Sequence, residues 1–401
     1  MSEFAGTREE ALAALQDFIP RSGAYARERN AVLPDHRNVS RLSPAIRHRL
    51  LTEWEVAEAP LARYARSTVE KFTQEIYWRS YWKSWLSLRP HIWDEYEASF
   101  KEPFSEKAEA VMAGRGPIAV MNHFADELTR TGYLHNHARM WFAGYWIHLE
   151  RLPWEQGARF FEKNLLDFDP ASNTLSWRWV AGLQTAGKTY LPRRKNIEKY
   201  LAAELLDTTG LELLENPVAL LPENIIRPEI TRPDLPSDNI PDSGGLWIHH
   251  EDLNPESSPL AHFKPEAILV SGNGKRLDEI DGSDHQRSWT QGAIQDAARR
   301  AQAHYKTETN YSMTADLVSW AKEKGLREVT ALRPEIGPLH DQLPILEKRL
   351  AAEKITLHLV LRPEDAMLRP LAKSGFFGFW KKLQQELAKG EFPPRNDVLL
   401  F

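Results

Sequence analysis

Two spacings of apolar residues divide this chain. Up to residue 205, apolar positions recur three and four apart over stretches too long for strands, which predicts helices with one buried face. Residues 9–18 (EEALAALQDF) form the first, and Pro20 is expected to stop it. Residues 67–88 (STVEKFTQEIYWRSYWKSWLSL) form a long aromatic helix. On it Tyr77, Tyr81, Trp85 and Leu88 make one stripe, which reads as core. Glu75, Trp78, Arg79 and Trp82 make another, at i, i+3, i+4 and i+7. That second stripe is either a wall for a flat polar ligand or an amphipathic face carrying a Glu75–Arg79 pair. Further helices are expected between 118 and 157, with Asn136, Arg139 and Met140 on one face.

From residue 245 the pattern changes. Short apolar runs at 246–250, 267–272, 328–332 and 355–361 read as strands. They alternate with helical patterns at 288–305, 313–325, 343–354 and 375–388, the second of these ended by Gly325. Such alternation predicts a Rossmann-like, doubly wound parallel sheet. Prolines at 217, 222, 228, 233, 236 and 241 mark a semi-extended connection between the two patterns. The expected organisation is an all-helical domain at 1–205, a linker at 206–244 and an α/β domain at 245–401.

Composition narrows the function. The length of 401 residues suits two domains. A net charge of −5 argues against holding nucleic acid by overall charge, and leaves local basic runs such as Arg193-Arg194-Lys195. With no cysteine, disulfides, thiolate zinc and cysteine-held iron–sulfur clusters are excluded. No apolar run reaches the ~18–20 residues of a membrane span, and the first residues do not read as a signal peptide, so a cytoplasmic protein without membrane contact is expected. Ten of the 14 tryptophans precede residue 205, which again separates the halves.

Candidate chemistry concentrates at 167–179 (DFDPASNTLSWRW). Asp167 and Asp169 are spaced for a turn that offers carboxylates to one partner, and Trp177-Arg178-Trp179 is too aromatic for a solvated loop and too charged for plain core. The stretch is expected to close over a bound aromatic cofactor. Ser40, Arg41, Leu42 and Ser43, before Pro44, read by themselves as a plain helix cap, or as an anion site at the helix N-terminus. The GNGK run at 272–275 lacks the spacing of a phosphate loop or dinucleotide fingerprint and reads as a hairpin or loop turn. His249, His250 and His262 read as a strand end and a loop, and no metal is expected.

Four of these segments, in order, resemble motifs of the photolyase/cryptochrome family. SRLSP at 40–44 resembles the phosphate-holding T-S-R-L-S-P segment, with Val39 where Thr is usual. EIYWRSYW at 75–82 resembles the E-x-x-W-R-E-F-Y helix, and GYLHNHARM at 132–140 resembles G-[WY]-[ML]-H-N-R-x-R-M. The 167–179 stretch resembles D-x-D-x-A-x-N followed by W-x-W. In that family an α/β antenna domain precedes the helical domain. Here residues 246–261 are similar to the antenna opening and 375–387 to its close, so the resemblance implies a circular permutation. His249-His250 replace the family's arginine after the first strand.

The resemblance implies FAD bent into a U within the helical domain. Tyr25, Ser40, Arg41, Leu42 and Ser43 would hold its phosphates with Arg79 assisting, Asp167 and Asp169 would face flavin and ribose, Arg139 would pair with Asp167, and Asn173 would sit beside the flavin N5. A folate- or deazaflavin-type antenna chromophore would be a second cofactor. For pyrimidine-dimer DNA, single- or double-stranded, the matching positions are Glu75, Trp78, Asn136, Met140 and Trp179, with Asn173 supporting the chemistry from the flavin. Trp177 and Trp154 match the first two members of an electron relay. The third aligns near Phe100, with Trp93 or Trp146 as substitutes, and His137 replaces an arginine that contacts DNA phosphate. The implied activity is that of a deoxyribodipyrimidine photolyase acting as a monomer; the alternative is a cryptochrome-like blue-light receptor.

Overall fold

The computed structural model describes residues 4–100, 103–185, 188–222, 225, 228–231 and 240–390. The first part is helical. Its opening helix, Arg8–Ser22, starts on a Thr7–Glu10 capping box and runs through Pro20, where an early stop was expected. Proline falls in the last turn, so the helix loses little ladder by continuing past it. The aromatic helix spans Arg66–Ser87, and its core stripe is buried as expected: Tyr77, Tyr81 and Trp85, with Leu88 just beyond its end. Three further helices frame the site: Asn136–Gly144, Trp154–Asn164 and Pro170–Val180.

The second part is a five-stranded parallel sheet of order β3-β2-β1-β4-β5, with β1 Ser243–His249, β2 Lys264–Ser271, β3 Thr309–Ser312, β4 Glu328–Leu332 and β5 Thr356–Val360. Alternation along the strands separates two faces. Leu246, Ile248, Ile268 and Val270 join Trp289, Ala293 and Ala297 of the helix Asp284–Tyr305, in one apolar core continuous with the helical part. Trp247, Ala267, Leu269 and Ala331 face the other way, under the helices Leu317–Glu323 and Pro338–Ala352. Both faces are covered, as parallel sheets require. Gly244, at φ 144, lets the start of β1 approach β4; a Cβ there would stand 2.6 Å from the Glu328 carbonyl oxygen. The GNGK run is not a hairpin: Gly272 and Asn273 make a short loop after β2, and Gly274 and Lys275 open the helix Gly274–Glu279.

Charged side chains lock the parts together. Arg47 reaches Glu251 at 3.0 Å, and Arg49 reaches Asp365 at 2.7 Å and Asp252 at 3.1 Å. Arg362 also pairs with Asp252, at 2.7 Å. Between the two arginines, His48 Nδ1 donates to the His250 carbonyl at 2.6 Å. Burial, with Arg47 adding repulsion, pushes His48 down to about 3, so the ring stays neutral. Gln286 donates to the carbonyls of Glu162 and Leu165. Segments 40–49 and 162–170, which hold most of the candidate cofactor residues, are therefore anchored from the sheet side. Among the described residues no helix is long and apolar enough to cross a membrane.

Candidate functional site: a cavity for a dinucleotide cofactor

A cavity of about 1050 Å³ opens among the helices 66–87, 136–144 and 170–180. That is the upper end of the ~300–1000 Å³ usual for small-molecule pockets. Tyr25, Ser40, Arg41, Leu42, Ser43, Glu75, Trp78, Arg79, Asn136, Arg139, Met140, Asp167, Asp169, Asn173, Trp177 and Trp179 all line it. Trp154 lies outside the lining, as do Trp93, Phe100 and Trp146; the Trp154 ring stacks 5.8 Å from Tyr96.

Asp169 organises one wall. It caps the helix Pro170–Val180, its Oδ1 accepting from Ser172 N at 2.8 Å. Its Oδ2 has Arg79 at 3.4 Å, Arg47 at 3.7 Å and Lys83 at 3.9 Å. Burial alone would raise this carboxyl, but the three cations outweigh it and hold it far below the usual range. Asp167 follows the same logic. Arg139 donates to its Oδ2 at 2.9 Å, and Arg139, Arg79 and the Ser43 hydroxyl together overcome burial and lower its pKa. The Glu75–Arg79 pair allowed by helical spacing does not form. Arg79 turns to Asp169, and Glu75 takes Lys71 at 2.9 Å and Arg29 at 3.2 Å.

The 40–44 segment is not a plain cap. The short helix Ser43–Arg47 carries no side-chain cap hydrogen bond at Leu42, and Arg41 adopts a positive φ of 57. The Ser43 hydroxyl is turned to Asp167 instead of a helix amide. Ser172 Oγ, on a lining residue, is buried without a hydrogen-bond partner among the described residues, and Arg79 Nη1 has the Asp169 carboxylate at 3.4 Å. Asn173 donates its Nδ2 to the Ala158 carbonyl at 2.9 Å, which fixes the amide with Oδ1 as its remaining polar end.

Aromatic side chains line the same cavity. Trp78 lies 5.3 Å from Trp82 and is stacked on Phe376 at 3.8 Å with 9° between planes. Trp179 is 5.9 Å from Tyr190. Trp177 is 2% exposed and meets Phe161 at 5.0 Å and Trp146 at 6.4 Å. His137 donates Nδ1 to the Asn30 carbonyl at 2.8 Å, and burial lowers its pKa, so it brings no charge near neutral pH. His135, beside it, is pushed down to about 3 by burial. Sequence reasoning missed Arg29, Lys71, Tyr190 and Phe376. The helical spacing of Lys71 and Glu75 could have found the second of these; nothing local pointed to the other three.

The lining combines cations, carboxylates, hydroxyls, indoles and an amide, which suits an aromatic dinucleotide cofactor. Residues 72–210 match the FAD binding domain of DNA photolyase. A cryptochrome DASH of Idiomarina loihiensis is 28% identical over 210 residues, covering 49% of this chain and 46% of its own length. A deoxyribodipyrimidine photo-lyase of Agrobacterium fabrum is 26% identical over 190 residues, covering 46% and 38%. Another from Thermus thermophilus is 30% identical over 200 residues, covering 45% and 44%. Residues 72–210 are therefore similar to the FAD-binding part of photolyases and cryptochromes. The chain spans less than half the length of these relatives.

Proposed function

We propose that this chain is a light-driven DNA-repair flavoprotein that splits cyclobutane pyrimidine dimers. The observation that carries the reading is that one cavity gathers both residue sets: Arg79, Arg139, Asp167, Asp169 and Asn173 for a flavin, and Glu75, Trp78, Asn136, Met140 and Trp179 for a lesion. Bound FAD, reduced and excited by light, would supply one electron to the dimer and take it back. The reaction is electron-neutral: two carbon–carbon bonds of the cyclobutane ring break and two pyrimidines result. The chain's part is geometry. Arg79 and the 40–43 segment hold the phosphates, and Arg139 keeps Asp167 ionised against burial. Asn173 presents its amide, and the indoles of Trp78 and Trp179 give a flipped pair its stacking surfaces. Glu75 and Asn136 offer hydrogen bonds to the pyrimidine edges. Trp177 feeds electrons to the flavin, with Trp154 and Trp146 as the next members of the relay.

The C-terminal sheet is the family's antenna domain in permuted order; its 3-2-1-4-5 arrangement and its ion-paired contact with the helical part support this. The cleft at the carboxyl ends of β1 and β2, lined by Trp247, Ser271, Lys275 and Met313, holds only about 90 Å³. A folate- or deazaflavin-type chromophore does not fit it as it stands.

Blue-light reception without repair is the second reading. It is favoured by Phe376, which covers the Trp78 indole, and by the ion pairs that already occupy Glu75. To decide, the reduced protein is illuminated with dimer-containing oligonucleotides, single- and double-stranded. Intact thymines appearing in light and not in darkness, and lost in Glu75→Ala, support repair. No repair of either substrate favours reception.

A further inference from the structure

The segment Lys373–Phe377 lies far along the chain from the aromatic helix, yet it lines the same cavity. Phe376 begins the final helix, Phe376–Lys389, and its ring is parallel to Trp78 at 3.8 Å. That is closer than most aromatic pairs, and it fills one face of the indole. Trp82 and Tyr81 approach the same indole at 5.3 and 5.5 Å. A flat ligand stacking on that face of Trp78 competes with Phe376.

Two hydrogen bonds hold the backbone just before Phe376, whose own ring is buried. Tyr81 Oη donates to the Ser374 carbonyl at 3.0 Å, and Arg89 donates to the Lys373 carbonyl at 3.1 Å. Behind Phe376, Phe379 and Trp380 anchor the helix, Trp380 lying 6.0 Å from Tyr77. In front of it Lys373, Ser374 and Gly375 are exposed, and a Cβ on Gly375 would meet nothing within 4 Å. Phe377, at the cavity's edge, is 73% exposed. An anchored helix thus begins in an unobstructed glycine joint, with one apolar ring turned inward.

We propose that Phe376 is the specificity-determining lid of this cavity. It occupies the stacking place on Trp78, and a nucleobase takes that place only when the Phe376 ring turns off the indole at the start of its helix. The proposal rests on the reading that the cavity receives a flipped base. The lid therefore selects ligands that stack better on Trp78 than Phe376 does, and a pair of covalently joined pyrimidines presents more surface than one base.

The test uses the full chain loaded with FAD, in darkness, with a fluorescein-labelled single-stranded oligothymidylate carrying one cyclobutane dimer. Anisotropy titrations compare wild type with Phe376→Leu and Phe376→Ala. Leu keeps an apolar anchor without a flat ring, so it decides the matter should the Ala variant lose helical signal. Each variant is expected to bind about fivefold to tenfold more tightly than wild type, the worth of one displaced aromatic pair. Combining Phe376→Leu with Trp78→Ala is expected to erase the gain. Binding that is unchanged or weaker in Phe376→Leu overturns the lid, as does a gain that persists without Trp78. Flavin content of the same samples tests the cofactor reading separately, and the lid stands or falls on the ratio of dissociation constants.

Discussion

Asp169 is the point at which the fold and the site share one carboxylate, and replacing it separates two effects. Asp169→Asn keeps a good helix cap for Ser172 N and removes the negative charge. Arg79, Arg47 and Lys83 then lose their common anion. Breaking a buried ion pair by removing one partner costs about 3–5 kcal/mol. Arg47 keeps Glu251 and Lys83 keeps Glu53, so the lower end, about 3 kcal/mol, is expected. Asp169→Ala should cost a further ~1 kcal/mol for the lost cap. Urea unfolding at pH 7, followed by far-ultraviolet circular dichroism and tryptophan fluorescence together, measures both steps. The acid behaviour supplies an internal check. A carboxyl whose folded pKa is depressed stabilises above its unfolded value of about 4, and that contribution fades as pH falls toward the folded one. The gap between wild type and Asp169→Asn should therefore shrink below about pH 4. An Asn variant within about 1 kcal/mol of wild type at pH 7 refutes the charge argument.

Other expectations follow from the same geometry. His48 and His135, each pushed down to about 3, stay neutral in the fold but take a proton in the unfolded chain below about pH 6.5. Each should remove about 2 kcal/mol between pH 6.5 and 5, so the urea midpoint falls over that range and His48→Gln flattens its slope. Arg139→Ala leaves Asp167 buried with its nearest cation gone; bound FAD per chain after dialysis should fall by about tenfold, a charge-assisted hydrogen bond's worth. Trp177→Phe keeps an aromatic ring against Phe161 but removes the indole proposed as electron donor. Light-driven flavin reduction should be lost at unchanged flavin content, and an unaltered rate removes Trp177 from the relay.

Much of this was legible in the chain because local pattern and final environment agree. Residues 328–332 form β4 as their short apolar run predicts, and the core stripe of the aromatic helix is buried as its spacing requires. β3 was not legible. Its TNYS is polar, sits at a sheet edge and leaves Tyr311 43% exposed, so no apolar alternation marks it. The flavin motifs were legible because their residues are close in sequence. What was not legible is long-range: Arg29 and Lys71 converging on Glu75, and Arg79 choosing Asp169 over Glu75. Phe376 resting on Trp78 belongs with them, since two helices from opposite ends of the chain must first pack.

The absorption spectrum of the purified chain, taken after incubation with FAD and gel filtration, tests the central claim most directly. The account predicts one FAD per chain absorbing near ~450 nm, released on denaturation. A colourless protein that takes up no FAD contradicts the assignment of the cavity.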